Sequence, residues 1–258
     1  MKTKLSGAKL IAVILIAVVG GAAGIGYFKQ SSALSDAAAE VKGSKPEVVS
    51  KEGIEVLRPK PGDIIYGDMN ALVTIIEYAS LSCSHCAHFY ETVMPDLQKE
   101  FIRTGKVKLV FRHFPLNEPA IKGAELVECA GQNNLERTNF IKVLFDMQNK
   151  WAYDDKFLAN LKQIAAVGGI DSAAFDSCVN DKALETKILS SRKDAADKLG
   201  VNGTPAFYIN GVRYDGERTI EGFRTAIAAP PSVPAIDAAE KPAAEPAVKP
   251  AAEPVAKP

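Results

Sequence analysis

The spacing of hydrophobic and polar residues divides the middle of the chain into strand-like and helix-like segments. Short runs rich in β-branched and aromatic residues predict strands at 63–66, 72–78, 107–114, 206–209 and 212–214. Between the last two runs lies Asn210-Gly211, a dipeptide typical of two-residue hairpin turns. The strands therefore form an early group and a late hairpin.

Helical periodicity fills the space between these strands. The predicted helices are 83–103, kinked or broken at Pro95, then 118–132, 137–148, 155–167, two pieces between 171 and 199, and finally 220–228. Most of them follow one another without an intervening strand. This order predicts an α/β fold, in which a mixed central sheet is flanked by helices and carries an all-helical insertion at about 117–200.

The N-terminal segment differs in composition from this domain. Lys2, Lys4 and Lys9 precede residues 10–28, which contain no charged residue. This pattern predicts either a cleaved signal peptide or a retained membrane anchor at 1–28 that crosses the bilayer through 10–28, and both remain open. In either case the rest of the chain lies outside the cytoplasm, in the periplasm or cell envelope.

Two low-complexity segments flank the predicted domain, which spans 61–228. Residues 29–60 are polar and lack a steady period, so we expect a linker. Residues 229–258 repeat Pro, Ala, Glu and Lys, a composition that cannot bury a core and predicts an extended tail. The 258 residues carry 31 basic and 31 acidic side chains, and this balance offers no basic footprint for nucleic acid.

The candidate chemistry lies where the second strand meets the first long helix. Cys83 is placed at the helix N-terminus, where unpaired backbone N–H groups and the helix dipole favour a thiolate. Cys86 lies one turn further and can close a disulfide with it. The same CxxC spacing also occurs in zinc sites, but the chain has no second CxxC to complete one. The pair therefore indicates redox chemistry without a metal or other cofactor.

Several motifs together resemble the DsbA-like branch of the thioredoxin superfamily. They are residues 77–86, Pro95, 105–116 and 203–211, and the resemblance spans about 63–228. It implies a thioredoxin fold that acts on the disulfides of exported proteins with cysteine pairs, and a membrane redox partner that resets the active-site disulfide.

The resemblance also implies a role for individual residues. Cys83 would be the nucleophile and Cys86 the resolving thiol, while Glu77 would be a buried acid that exchanges a proton with Cys86. Thr204 and Pro205 would form a cis-proline loop that binds the substrate peptide. By their local sequence alone, Pro205 is an ordinary trans loop proline and Glu77 a surface acid at the edge of the sheet.

His85 lies between the two cysteines. Its side chain can stabilise the Cys83 thiolate as a cation or a donor, or it can simply be exposed to solvent. The dipeptide Ser84-His85 differs from the Pro-His of the best-known strong oxidant of the family, and Thr204 stands where that oxidant has Val. The direction of the reaction therefore stays open among oxidase, isomerase and reductase, with a membrane-tethered chaperone or peptide-binding module as a non-enzymatic alternative.

Two further cysteines fall in the helical insertion. Cys129 and Cys178 lie on separate predicted helices, in a compartment that we expect to be oxidising. We predict a structural disulfide between them, and the alternative is a pair of buried free thiols.

Overall fold

A computed structural model describes residues 49–130 and 133–229. The predicted signal or anchor at 1–28, most of the predicted linker and the predicted tail from residue 230 lie outside the described residues. Within the described part of the chain, no helix is both long and apolar enough to cross a membrane.

Five strands form one mixed sheet in the order β1-β3-β2-β4-β5. They are β1 (Ile64–Tyr66), β2 (Val73–Ala79), β3 (Val107–His113), β4 (Ala206–Ile209) and β5 (Val212–Tyr214). Strands β2 and β3 are parallel, and the other three pairs are antiparallel. This confirms the predicted mixed sheet, with β2 at its centre.

Ten α-helices surround the sheet in the described residues. They are α1 (Lys51–Leu57), α2 (Ser84–Thr92), α3 (Met94–Leu97), α4 (Glu118–Cys129), α5 (Asn134–Asp146), α6 (Gln148–Trp151), α7 (Phe157–Val167), α8 (Ser172–Val179), α9 (Lys182–Leu199) and α10 (Ile220–Ala228). Six of them, α4 to α9, lie between β3 and β4 and form the predicted helical insertion.

The first long helix is interrupted where the sequence predicts a break. Helix α2 ends at Thr92, α3 carries Pro95 in its first turn, and a π-helical turn continues over Gln98–Ile102. Proline has no N–H and its ring crowds the carbonyl four residues earlier, so the chain starts a new helix around it. The break leaves α2 short, with the cysteine pair at its N-terminal end.

The central strand β2 is buried on both faces of the sheet. Its successive side chains point to opposite sides, and each side packs into its own core. Ile75 and Ala79 face a core that contains Phe89 of α2, whereas Ile76 and Tyr78 face a second core. Glu77 shares the face of Ile75. A carboxyl at this position on a central strand is therefore enclosed by the core under α2.

The predicted linker at 29–60 is wrong in its last ten residues. Helix α1 folds within it, buries Val56 and Leu57, and contacts α9. Arg112 on β3 holds this segment by donating to the carbonyls of Val56 and Arg58 and by an ion pair with Asp63 at 2.8 Å. The folded domain therefore begins before residue 61. The Arg112 contacts join residues about fifty positions apart, and α1 and α9 are more than a hundred positions apart, so local periodicity does not predict them.

A disulfide joins Cys129 at the end of α4 to Cys178 in α8. The S–S distance is 1.96 Å, and the two Cα atoms are 6.0 Å apart. The bond closes a loop with a sequence separation of 49 residues. On the chain-entropy estimate, a loop of this length stabilises the folded state by about 4 kcal/mol.

Candidate active site

The site is built where β2 runs into α2. Cys83 is the N-cap residue of α2, with extended backbone, and its carbonyl accepts from the N–H groups of Cys86 and Ala87. No acidic residue lies in the first turn of the helix. Cys83 is partly exposed and Cys86 is fully buried, and both are free thiols. One sulfur can therefore meet a large substrate, and the other cannot.

The environment of Cys83 favours its thiolate. A hydrogen bond from the Cys86 thiol lowers the pKa of Cys83 most, and partial burial opposes it. The Thr204 side chain and the backbone N–H groups of Cys86 and His85 add to the lowering, so the pKa of Cys83 falls to about 4. At neutral pH the exposed cysteine is thus an ionised nucleophile.

Residues from the far end of the chain close over this sulfur. The Cys83 Sγ lies 3.4 Å from the carbonyl oxygen of Thr204, and the Thr204–Pro205 peptide bond is cis. Because β4 begins directly after Pro205 and pairs with β2, the loop reaches the start of α2. The Thr204 hydroxyl is buried and acts on Cys83, but it has no hydrogen-bond partner at normal distance and angle.

Cys86 and Glu77 form the buried half of the site. Burial raises the pKa of Cys86 well above its usual value, and its hydrogen bond to Cys83 and the charge of Glu77 raise it further. Burial likewise raises the pKa of Glu77 to about 8, with the Tyr90 hydroxyl opposing this and the Cys83 thiolate adding to it. The two side chains that shift the pKa of Glu77, Tyr90 and Cys83, are not cations. A buried thiol and a buried carboxyl thus titrate under each other's influence.

His85 is placed differently from its neighbours. Its side chain is exposed, and its contribution to the Cys83 thiolate comes from the backbone N–H. Any residue except proline supplies that N–H. The imidazole of His85 is therefore not among the groups that lower the pKa of Cys83.

Two residues that hold the active-site turn were not predicted from the sequence. The buried Gln148 donates from Nε2 to the carbonyls of Leu81 at 2.8 Å and Cys83 at 3.0 Å. The Tyr153 hydroxyl lies 2.8 Å from Gln148 Oε1 and 3.1 Å from the carbonyl of Ser82, and it donates to one at a time. These residues come from the helical insertion, more than sixty positions along the chain, and a single Gln or Tyr carries no local signal of such a contact.

The two groups beside Cys83 predict different mutational effects. Cys86→Ala removes the thiol donor and should raise the pKa of Cys83 by about one to two units, since a hydrogen bond to a charged group is worth about 1.5–3 kcal/mol. His85→Ala keeps the backbone N–H and should shift that pKa by less. Thiolate absorbance measured against pH gives both values, and a larger shift for His85→Ala would contradict this assignment.

Comparisons with known proteins agree with the architecture and with the resemblance noted in the sequence. The sequence model of a family described as Thioredoxin matches residues 59–229. A Rickettsia felis protein named as a protein-disulfide oxidoreductase is 30% identical over 165 residues, which cover 64% of this chain and 59% of the relative. The chain thus spans about three fifths of the length of that relative.

Two solved structures are similar in fold to this chain. The α-DsbA1 of Wolbachia pipientis is 35% identical with a TM-score of 0.64, covering 68% of this chain and 94% of the other. BdbD of Bacillus subtilis, at 19% identity and a TM-score of 0.58, covers 66% and 94% and shares the fold.

Proposed function

Because this chain belongs to the thioredoxin family and its solved relatives include a DsbA protein, we propose that it is a thiol-disulfide oxidoreductase that oxidises dithiols. The observation that carries the proposal is the asymmetry of the pair. Cys83 is partly exposed with a low pKa, and Cys86 is buried with a high one. Such a pair is more stable reduced than an unperturbed dithiol, so its disulfide readily accepts electrons.

The reaction is a pair of thiol-disulfide exchanges. A substrate thiolate attacks Cys83 Sγ, a mixed disulfide forms, and Cys86 leaves with the electron pair of the broken bond. Cys86 then takes a proton from Glu77. The second substrate thiolate attacks the substrate sulfur of the mixed disulfide, and Cys83 leaves as a thiolate. The substrate has lost two electrons and gained a disulfide, and the enzyme pair is reduced.

The loop around Thr204 and Pro205 is proposed as the substrate-binding surface. Its carbonyl lies beside Cys83, so a peptide that places a cysteine on Cys83 Sγ must pass along this loop. An extended peptide can use backbone hydrogen bonds there, as peptides do along sheet edges, which allows many substrate sequences.

The cellular setting is part of the same proposal. The Cys129–Cys178 disulfide is typical of proteins outside the reducing cytoplasm, in agreement with the export signal expected at 1–28. We place the enzyme in the periplasm or cell envelope, acting on exported proteins. Since each turnover leaves the pair reduced, a membrane redox partner must accept two electrons to restore the disulfide.

A direct test is to mix the oxidised protein with an equal amount of a reduced peptide that contains two cysteines. We expect one peptide disulfide per protein at pH 7, counted by alkylation and mass spectrometry. A matched peptide with one cysteine replaced by serine should stop at the mixed disulfide. If the protein instead stays oxidised at equilibrium while its reduced form reduces the peptide disulfide, a reductase takes the place of the oxidase.

A further inference from the structure

The carboxyl of Glu77 has no evident source of protons. Both of its oxygens are buried, and neither has a hydrogen-bond partner at normal distance and angle. The Tyr90 hydroxyl is also buried and lacks such a partner. If Glu77 gives a proton to Cys86 in each cycle, another group must return one to it through the core.

Two tyrosines lie between this carboxyl and a cavity. The hydroxyl of Tyr90 on α2 interacts with the Glu77 carboxyl and lowers its pKa. The Tyr90 ring meets the ring of Tyr66 on β1 edge to face, with centroids 6.2 Å apart. The Tyr66 hydroxyl can donate its one proton to the carbonyl of Thr138, 3.4 Å away, or to the Tyr90 hydroxyl, with which it also interacts. Both tyrosines line a cavity of about 520 Å³, whose polar lining includes Gln98, Arg103, Asn134, Asn139 and Lys142. A polar cavity of this size can hold several water molecules.

The cavity lies on the other side of Glu77 from the substrate loop. In the sheet order, β1 is separated from β2 by β3, whereas β4, which follows the Thr204 loop, pairs with β2 on its opposite edge. Tyr66 is on β1 and Glu77 on β2. A route through Tyr66 therefore leads away from the place where a substrate would cover Cys83.

Few other titratable groups bear on this route. Among the described residues, Glu77 interacts electrostatically with the two active-site cysteines, Cys83 and Cys86, and with the two tyrosines, Tyr90 and Tyr66. The neighbouring Arg112 lies against Tyr78 and Asp63 on the opposite face of the sheet. His113 meets Phe111 edge to face, and its Nε2 lies 3.5 Å from a carboxyl oxygen of Glu128.

Packing alone does not account for the Tyr90 hydroxyl. The ring contacts Phe89, Phe111 and Phe145, and phenylalanine would make the same contacts. Burial of a hydroxyl without a good partner is unfavourable, because the lost hydrogen bonds to water are not replaced. Its position beside an equally unpartnered carboxyl points to a proton-carrying function.

We propose that Tyr90 and Tyr66 form a proton relay between Glu77 and this cavity, so that the proton exchanged with Cys86 enters and leaves on the side away from the substrate. This inference rests on the proposed function. After Glu77 protonates Cys86, the carboxylate takes the Tyr90 proton, Tyr90 takes that of Tyr66, and Tyr66 takes one from water in the cavity. Each tyrosine ends with one proton, and one proton from solvent is consumed per disulfide reduced.

Concerted transfer is required by the burial of these groups. Burial raises the pKa of Tyr90 well above its usual value, and the pKa of Tyr66 is raised by the same cause. A tyrosinate is therefore unfavourable at either position, and each hydroxyl must accept a proton as it gives one.

The test is the rate at which a dithiol peptide reduces the oxidised protein from pH 5 to pH 9, measured by acid quenching and alkylation. Tyr90→Phe should slow the reaction about tenfold above pH 8, where Glu77 is ionised and must receive a proton before it can give one to Cys86, and it should change the rate little below pH 7. Tyr66→Phe should slow it about threefold. The pKa of Cys83 should stay unchanged in both variants, which separates the relay from general damage to the site.

Two controls make the result decisive. Tyr208→Phe removes a buried hydroxyl that donates to the Leu199 carbonyl on the other face of the sheet, and it should leave the profile unchanged. In a Glu77→Gln background, Tyr90→Phe should cause no further slowing, because no titrating carboxyl remains to be supplied. The relay is overturned if Tyr90→Phe keeps the wild-type rate above pH 8, or slows Glu77→Gln as much as wild type. Either result leaves the proposed function intact, since that depends on the exchange by wild type itself.

Discussion

Cys83→Ser should abolish disulfide exchange, whereas Cys86→Ala should leave the first attack intact and accumulate mixed disulfides. The partly exposed Cys83 is the sulfur that a protein substrate can reach, and its low pKa keeps it ionised. Without Cys86, no buried thiol remains to resolve the intermediate. Incubation with a disulfide-containing protein, followed by non-reducing electrophoresis and mass spectrometry, should detect the Cys83-linked species for Cys86→Ala only.

Loss of structure is excluded by comparing urea unfolding of the two variants with that of the reduced wild type. Turnover by folded Cys83→Ser would contradict its assignment as nucleophile. Equal trapping by both variants would mean that the two sulfurs are equally accessible, against their observed burial.

Glu77→Gln should stabilise the reduced protein near pH 8 and slow the exchange. The pKa of Glu77 is about 8 when folded, against 4.5 for the free side chain, so the folded state binds the extra proton between these values. Stability from the protonated form is therefore full below about pH 4.5 and declines as the pH rises through 8, by about 5 kcal/mol in all. Glutamine does not ionise and avoids this decline, but it cannot give Cys86 a proton, so we expect exchange slower by about 10- to 100-fold.

Urea unfolding at pH 5 and pH 8 measures the stability difference between wild type and Glu77→Gln. Glu128→Gln is a matched control of opposite sign. Burial opposes ionisation of Glu128, but His113 and Arg137 outweigh it and lower its pKa. Glu128→Gln should therefore destabilise the folded protein at pH values above the pKa that Glu128 has in the unfolded chain. If Glu77→Gln and wild type keep the same difference in stability at both pH values, Glu77 does not titrate in this range.

Local patterns were sufficient for most of the fold. The Asn210-Gly211 turn has φ angles of 49° and 84°, the left-handed backbone that this dipeptide predicts for a hairpin. The break near Pro95 and the helical insertion also follow from residue types that act within a few positions. Helix α1 was missed because its seven residues gain their stability from α9 and Arg112, which lie far along the chain.

The candidate site was predicted to a similar extent and for the same reason. Cys83 and Cys86 follow from spacing at a helix start, and Thr204 and Pro205 follow from the family resemblance. Tyr90 could have been found, since it lies four residues after Cys86 and therefore on the same face of α2. Gln148 could not, because its contact with the active-site turn is fixed only when the helical insertion packs against α2.

The redox equilibrium of the folded protein with glutathione tests the oxidase assignment most directly. Thioredoxin has a nucleophile pKa of about 7 and a potential of about −270 mV. The pKa of Cys83 is about 4, and three units correspond to about 4 kcal/mol, or about 90 mV for two electrons. We therefore expect a potential of about −180 mV. A potential at or below about −270 mV would contradict the assignment and identify the protein as a reductant.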